Sequence, residues 1–169
     1  MPNIFLIGFM GSGKTTTARV IARKTGMKLI DIDREIERKQ RKKIRTIFRE
    51  RGEGYFRKIE TAELGRAVKK KDAVVATGGG IIKIKENIKA MKRAGTVVYL
   101  KNSFRTSAKR LEGKKDRPLF NCADIPRTRR ILLGRIPVYK EAADIVVVTD
   151  RKKPGDVAAE IMRRTGILK

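Results

Sequence analysis

Residues 8–15 read GFMGSGKT, a complete GxxxxGK(S/T) motif placed directly after the apolar run Ile4 to Ile7. That combination is built to hold a nucleoside triphosphate. Gly8, Gly11 and Gly13 permit a tight turn with positive φ and let successive N–H groups point inward at phosphate oxygens. Lys14 can reach the β- and γ-phosphates as a point charge, and the Thr15 hydroxyl is the correct type of ligand for Mg²⁺. The competing reading, a glycine-rich turn that merely caps a helix, is disfavoured by the placement of the whole pattern between a strand and a helix.

Three further groups of residues could do chemistry beside that loop. Asp31 and Asp33, in LIDID, fall at the end of a short apolar run, the edge of an open parallel sheet where ligands bind. Asp31 could hold Mg²⁺ directly or through water, while Asp33 could orient and deprotonate a substrate hydroxyl. Asp33 could instead be only the N-cap of a helix starting near Arg34. Thr77 to Gly80 read TGGG, whose bare backbone would let a substrate or a γ-phosphate approach closely; a hairpin or a helix cap is the alternative. Arg57 in GYFRKIE, Arg117 in DRPLF and Arg135 in GRIPVY carry the planar fork that suits carboxylate and phosphate. In so basic a chain, any single arginine is more often surface.

Positioning these residues requires strands that end at one edge. Strands are expected at Ile4 to Ile7, Leu29 to Ile30, Ala73 to Ala76, Val97 to Leu100 and Ile145 to Val148, with helices between them. This alternation specifies an α/β fold with a parallel sheet covered on both faces. The first helix should run from about Lys14 to Lys24 and stop at Gly26, with Gly95 ending the helix Lys85 to Ala94 in the same way. Pro154 should open the last helix. The stretch Glu112 to Pro126, polar and punctuated by proline, reads as a lid or a disordered loop.

The 169 residues suit one compact domain. No apolar run approaches 18 residues, and MPNIFLIG lacks the features of a signal peptide, so a cytoplasmic protein without a membrane partner is expected. Cys122 is the single cysteine, which excludes an intramolecular disulfide and a thiolate metal cluster. The net charge of +25 creates a field that draws in anions of every kind, nucleic acid included. Arg34 to Lys58 alone holds eleven basic residues against four acids, most of them expected on solvated helix faces.

Taken in order, GFMGSGKT, DID, GEGYFR, ATGGG, DRPLF and RIPVYKEAAD resemble the shikimate kinase family over nearly the whole chain. The resemblance implies ATP-dependent phosphorylation of the 3-hydroxyl of shikimate, in the route to chorismate and aromatic amino acids. It implies a nucleoside monophosphate kinase-like P-loop fold, with a five-stranded parallel sheet in the order 2-3-1-4-5, flanked by helices, and a mobile lid over about 112–126. It also implies a cytoplasmic, often monomeric enzyme whose partners are ATP and shikimate.

Carried over by motif, Gly11, Ser12, Gly13, Lys14, Thr15 and Thr16 would bind the ATP phosphates, with Thr15 and Asp31 at Mg²⁺. Asp33 would hold the shikimate hydroxyls and act as base. Arg57 and Arg135 would grip the carboxylate and ring hydroxyls, and Gly78, Gly79 and Gly80 would line both substrates. Arg117 would be the lid arginine over the transferring group, and Arg110, Arg151 and Pro154 would clamp the adenine. The segment RKQRKKIRTIFRERG is more basic than that family pattern. A gluconate kinase of the same fold would share the phosphate loop but not GYFR with TGGG. A basic P-loop ATPase or polynucleotide kinase is supported only by the charge, since no aromatic stacking run accompanies the cations.

Overall fold

The computed structural model describes residues 1–111 and 125–167. Five strands form one parallel sheet: β1 (Asn3–Ile7), β2 (Lys28–Asp31), β3 (Ala73–Ala76), β4 (Gly95–Lys101) and β5 (Ile145–Val148). Their spatial order is β2-β3-β1-β4-β5, the order expected. The helices are α1 (Lys14–Thr25), α2 (Ile32–Gln40), α3 (Ile44–Ala67), α4 (Lys85–Ala94), α5 (Phe104–Leu111), α6 (Ile125–Ala142) and α7 (Pro154–Arg164), with a 3₁₀ turn at Ile81–Lys83.

Alternation along β1 divides the core in two. Ile4 and Leu6 pack with Ala18 and Ile21 of α1 and with Val157 and Ile161 of α7. Phe5 and Ile7 face the other way, among residues from α2, α3, α4 and α6. The central strands β1 and β3 are buried throughout, as continuous apolar runs covered on both faces should be. The outer strand β2 is half exposed and longer than its apolar pair Leu29 and Ile30, because pairing with β3 recruits Lys28 opposite Ala73 and Asp31 opposite Ala76. Among the described residues no helix is long and apolar enough to cross a membrane.

Two glycines behave differently from each other. Gly26 ends α1 in the left-handed region, with φ 74°, and its N–H donates to Ala22 O. Gly95 also ends a helix, α4, and its N–H donates to Met91 O, but its φ of 167° is extended rather than left-handed, and it is at once the first residue of β4, opposite Asn3. A Cβ there would collide with the Asn3 backbone, so close strand approach rather than a left-handed backbone requires glycine. Pro154 opens α7 as expected, and Pro126 falls in the first turn of α6 rather than in a loop. The remainder of the expected lid, with Arg117 and Cys122, lies outside the described residues.

Candidate active site

Four chain segments leave the sheet at its C-terminal edge and converge on one cavity of about 860 Å³, a volume typical of small-molecule sites. They are the phosphate loop after β1, Asp31 and Asp33 after β2, the glycine loop after β3 and the segment after β5. Helices α3 and α6 close the sides with Arg57 and Arg135.

The phosphate loop has the backbone its sequence demands, with φ of 145°, 77° and 95° at Gly8, Gly11 and Gly13. Lys14 is buried, and its Nζ donates to Gly8 O at 2.7 Å and to Phe9 O at 2.9 Å. Gly11, Ser12, Gly13, Thr15 and Thr16 line the cavity with it. Arg110 bridges this loop to β5, donating to Gly11 O at 3.1 Å and to Thr149 O at 3.0 Å. Pro154, Lys152 and Lys153 line the same end of the cavity. Arg151 does not join them: it is exposed, with a left-handed φ of 57°, and the lining at this turn comes from its two lysine neighbours.

The two aspartates divide their work differently from the capping alternative. Asp31 is the N-cap of α2, its Oδ1 accepting from Arg34 N at 3.2 Å, while its Oδ2 accepts from Thr15 Oγ1 at 2.7 Å. The cap role therefore belongs to Asp31, and Asp33 lies within the first turn of α2 with its carboxylate at the cavity. The adjacent hydroxyl of Thr15 and carboxylate of Asp31 are hard oxygen donors of the kind Mg²⁺ takes beside phosphate oxygens.

Burial separates Arg57 from its surroundings. Of the eleven basic residues in Arg34 to Lys58 it alone is buried; the other ten are exposed. All four acids of that segment are engaged, Glu35 with Arg38, Glu37 with Lys43, Glu50 with Lys42, and Glu53 with Arg57 and Lys83. Helix α3 kinks at Gly52, whose φ of 75° is left-handed, and so turns the Glu53–Ala67 part to present Arg57 to the glycine loop. Arg57 Nε donates to Glu53 Oε1 at 3.1 Å and Nη1 pairs with Glu60. Lys83 donates to the same Glu53 oxygen at 2.7 Å, and these bonds hold Glu53 below the usual carboxylate range.

Glu60 is the functional-site residue that sequence reasoning missed. It is wholly buried, and burial pushes its carboxyl from 4.5 up to about 7, against the pull of Arg57. A Cβ on Gly78 would strike the Glu60 carboxylate, and one on Gly80 would strike the Arg57 guanidinium. Two of the three glycines are thus needed to admit this ion pair beneath the loop. Arg135 Nη1 donates to Gly79 O at 3.2 Å.

Glu60 also sets a pH dependence. Its folded pKa lies above the unfolded value, so its contribution to stability is complete below about pH 4.5 and is lost as pH rises through about 7. Thermal melts from about pH 5 to about pH 8 should therefore show a decline that is flatter in Glu60→Gln. Equal slopes for the two proteins would refute the assignment.

Comparison with known proteins places this arrangement. The shikimate kinase family model matches residues 10–165. The shikimate kinase of Persephonella marina is 41% identical over 97% of this chain and 99% of its own length. That of Sulfurihydrogenibium sp. is 40% identical over 97% and 98%. Among solved structures, shikimate kinase from Acinetobacter baumannii in complex with shikimate superposes with a TM-score of 0.93 at 38% identity, covering 97% of this chain and 92% of that one. A gluconokinase from Sinorhizobium meliloti reaches a TM-score of 0.57 at 15% identity, a likeness of fold alone. With a family match over most of its length and full-length relatives near 40% identity, this chain belongs to the shikimate kinase family.

Proposed function

We propose that the chain transfers the γ-phosphoryl group of ATP to the 3-hydroxyl of shikimate, acting as a cytoplasmic monomer. The observation that carries this reading is the convergence of Asp33, Arg57, Arg135 and the glycine loop on the cavity that also contains the phosphate loop. Phosphoryl transfer needs alignment and charge neutralisation more than covalent chemistry, and one cavity holding both sets of groups supplies alignment. The relative solved with shikimate bound shares this fold over nearly its full length, which supports shikimate as the acceptor.

In this reading Arg57 and Arg135 take the carboxylate and ring hydroxyls, and Asp33 accepts the proton of the attacking hydroxyl. Gly11 to Thr16 receive the phosphates, with Lys14 exchanging its bonds to the Gly8 and Phe9 carbonyls for phosphate oxygens. Thr15 and Asp31 would hold Mg²⁺, which when bound neutralises charge on the phosphates. Arg110 and Pro154 contact the adenine, and Arg117 supplies further positive charge from the lid.

The test is ADP release with shikimate, gluconate or a 5′-hydroxyl single-stranded oligonucleotide as acceptor. Release should depend on shikimate, because an acceptor aligned by Asp33, Arg57 and Arg135 reacts far better than water. Equal release with and without shikimate, or label transfer to the oligonucleotide alone, would overturn the proposal.

A further inference from the structure

The glycine loop is held from behind by a residue to which the reaction gives no direct part. Gly79 O accepts from Arg135 and from the hydroxyl of Tyr139, both on α6. Tyr139 is fully buried, its ring stacks on Tyr99 of β4 at 4.9 Å and 19°, and it is absent from the cavity lining that includes Gly79 and Gly80. Gly8 O, Met10 N and the Tyr139 hydroxyl lie 3.4, 3.5 and 3.7 Å from the point a Cβ on Gly79 would occupy. Gly79 therefore packs against both Tyr139 and the phosphate loop.

The peptide geometry then fixes a direction. Among the described residues no cis bond is present, so the Gly80 N–H points opposite to the Gly79 carbonyl, away from the Tyr139 and Arg135 donors. The next amides in the loop are satisfied, Ile81 N by Gly78 O at 3.2 Å and Lys83 N by Gly80 O at 3.0 Å. Gly80 N–H has no acceptor among the described residues. Burial raises the Tyr139 pKa, which keeps its hydroxyl a donor across the working pH range.

We propose that Tyr139 is a positioning residue for the phosphoryl acceptor: its hydroxyl clamps the Gly79 carbonyl, presents the Gly80 N–H to the cavity as a fixed donor for an acceptor oxygen, and sets the spacing between the glycine loop and the phosphate loop. The inference rests on the function proposed above. Tyr139→Phe keeps the ring and its stack on Tyr99 while removing the clamp.

The experiment combines steady-state kinetics of the full chain with the amide resonances of ¹⁵N-glycine-labelled protein. In Tyr139→Phe, kcat/KM for shikimate should fall about 10–100-fold while KM for ATP stays within about twofold, since small misplacements of aligned groups cost this much. The Gly80 amide should shift in the variant before any substrate is added, and in the wild type on adding shikimate alone. Unchanged Gly79 and Gly80 amides in the variant, or a lowered melting temperature with unchanged kinetics, would overturn the clamp. Should Tyr139→Phe not fold, the wild-type titration decides: a Gly80 amide that stays still while other cavity glycines respond to shikimate overturns the proposal. Failure of the functional reading looks different. The wild type would then release no shikimate-dependent ADP, while the variant's Gly80 shift, measured without substrate, would still report on the clamp.

Discussion

Replacing Asp33 with asparagine should lower turnover at least about a hundredfold and leave ATP binding intact, because general-base contributions run to roughly 10²–10⁴. Asparagine preserves size and hydrogen bonding but cannot take the hydroxyl proton. The structure sharpens this test by removing its main confounder. Asp31, not Asp33, caps α2 and meets Thr15, so helix initiation and the bond to the phosphate loop do not depend on the substituted side chain. Steady-state kcat and equilibrium binding of ATP, with a melt to confirm the fold, are the measurements required. Near-normal kcat in a folded variant would sink the base assignment. A hundredfold loss accompanied by equal loss of ATP affinity would point instead to damage at the Asp31–Thr15 contact two residues away.

Much of this organisation was legible in the sequence because it depends on local pattern. The five apolar runs, Gly26 and Pro154 each obey a short-range rule, and the structure reproduces them within two residues at each end, with pairing extending β2 and β4 outward. The parallel order 2-3-1-4-5 came from family resemblance, since apolar runs do not reveal which strands are neighbours. What could not be read was burial. Glu60 stands three residues after Arg57, the spacing of ordinary exposed helix pairs, and nothing local distinguishes it from Glu35 and Arg38 at the same spacing. Only the approach of Gly78 and Gly80 to α3 makes one pair a buried element of the site and leaves the other on the surface. Gly95 caps α4 as a glycine after a helix suggests, but its close contact with Asn3, remote in sequence, could not be read in the same way. Arg151 looked equivalent to its neighbours in sequence, but it is exposed and left-handed, and Lys152 and Lys153 line the cavity in its place.

The same buried pair makes Arg57→Lys the most informative substitution on the acceptor side. Arg57 contacts three groups with one planar fork: Nε meets Glu53, Nη1 meets Glu60, and the guanidinium fills the space left by Gly80. Lysine offers a single nitrogen on a flexible stem and cannot reproduce that geometry or bind a carboxylate bidentately. Shikimate should therefore bind about a hundredfold more weakly, consistent with the roughly 3 kcal/mol upper range of a charge-assisted hydrogen bond. ATP affinity should be little changed, because no Arg57 contact reaches the phosphate loop. Arg45→Lys, at an exposed position of the same basic segment, should alter neither substrate. This contrast separates a shaped site from a diffuse field. If the +25 charge rather than the fork held the acceptor, both arginine-to-lysine changes would be silent, since each preserves charge. If Arg57 merely supported the fold, shikimate and ATP would weaken together and the melting temperature would fall with them. Selective loss of shikimate at Arg57, with none at Arg45, is the outcome expected of a buried guanidinium held by Glu53 and by buried Glu60.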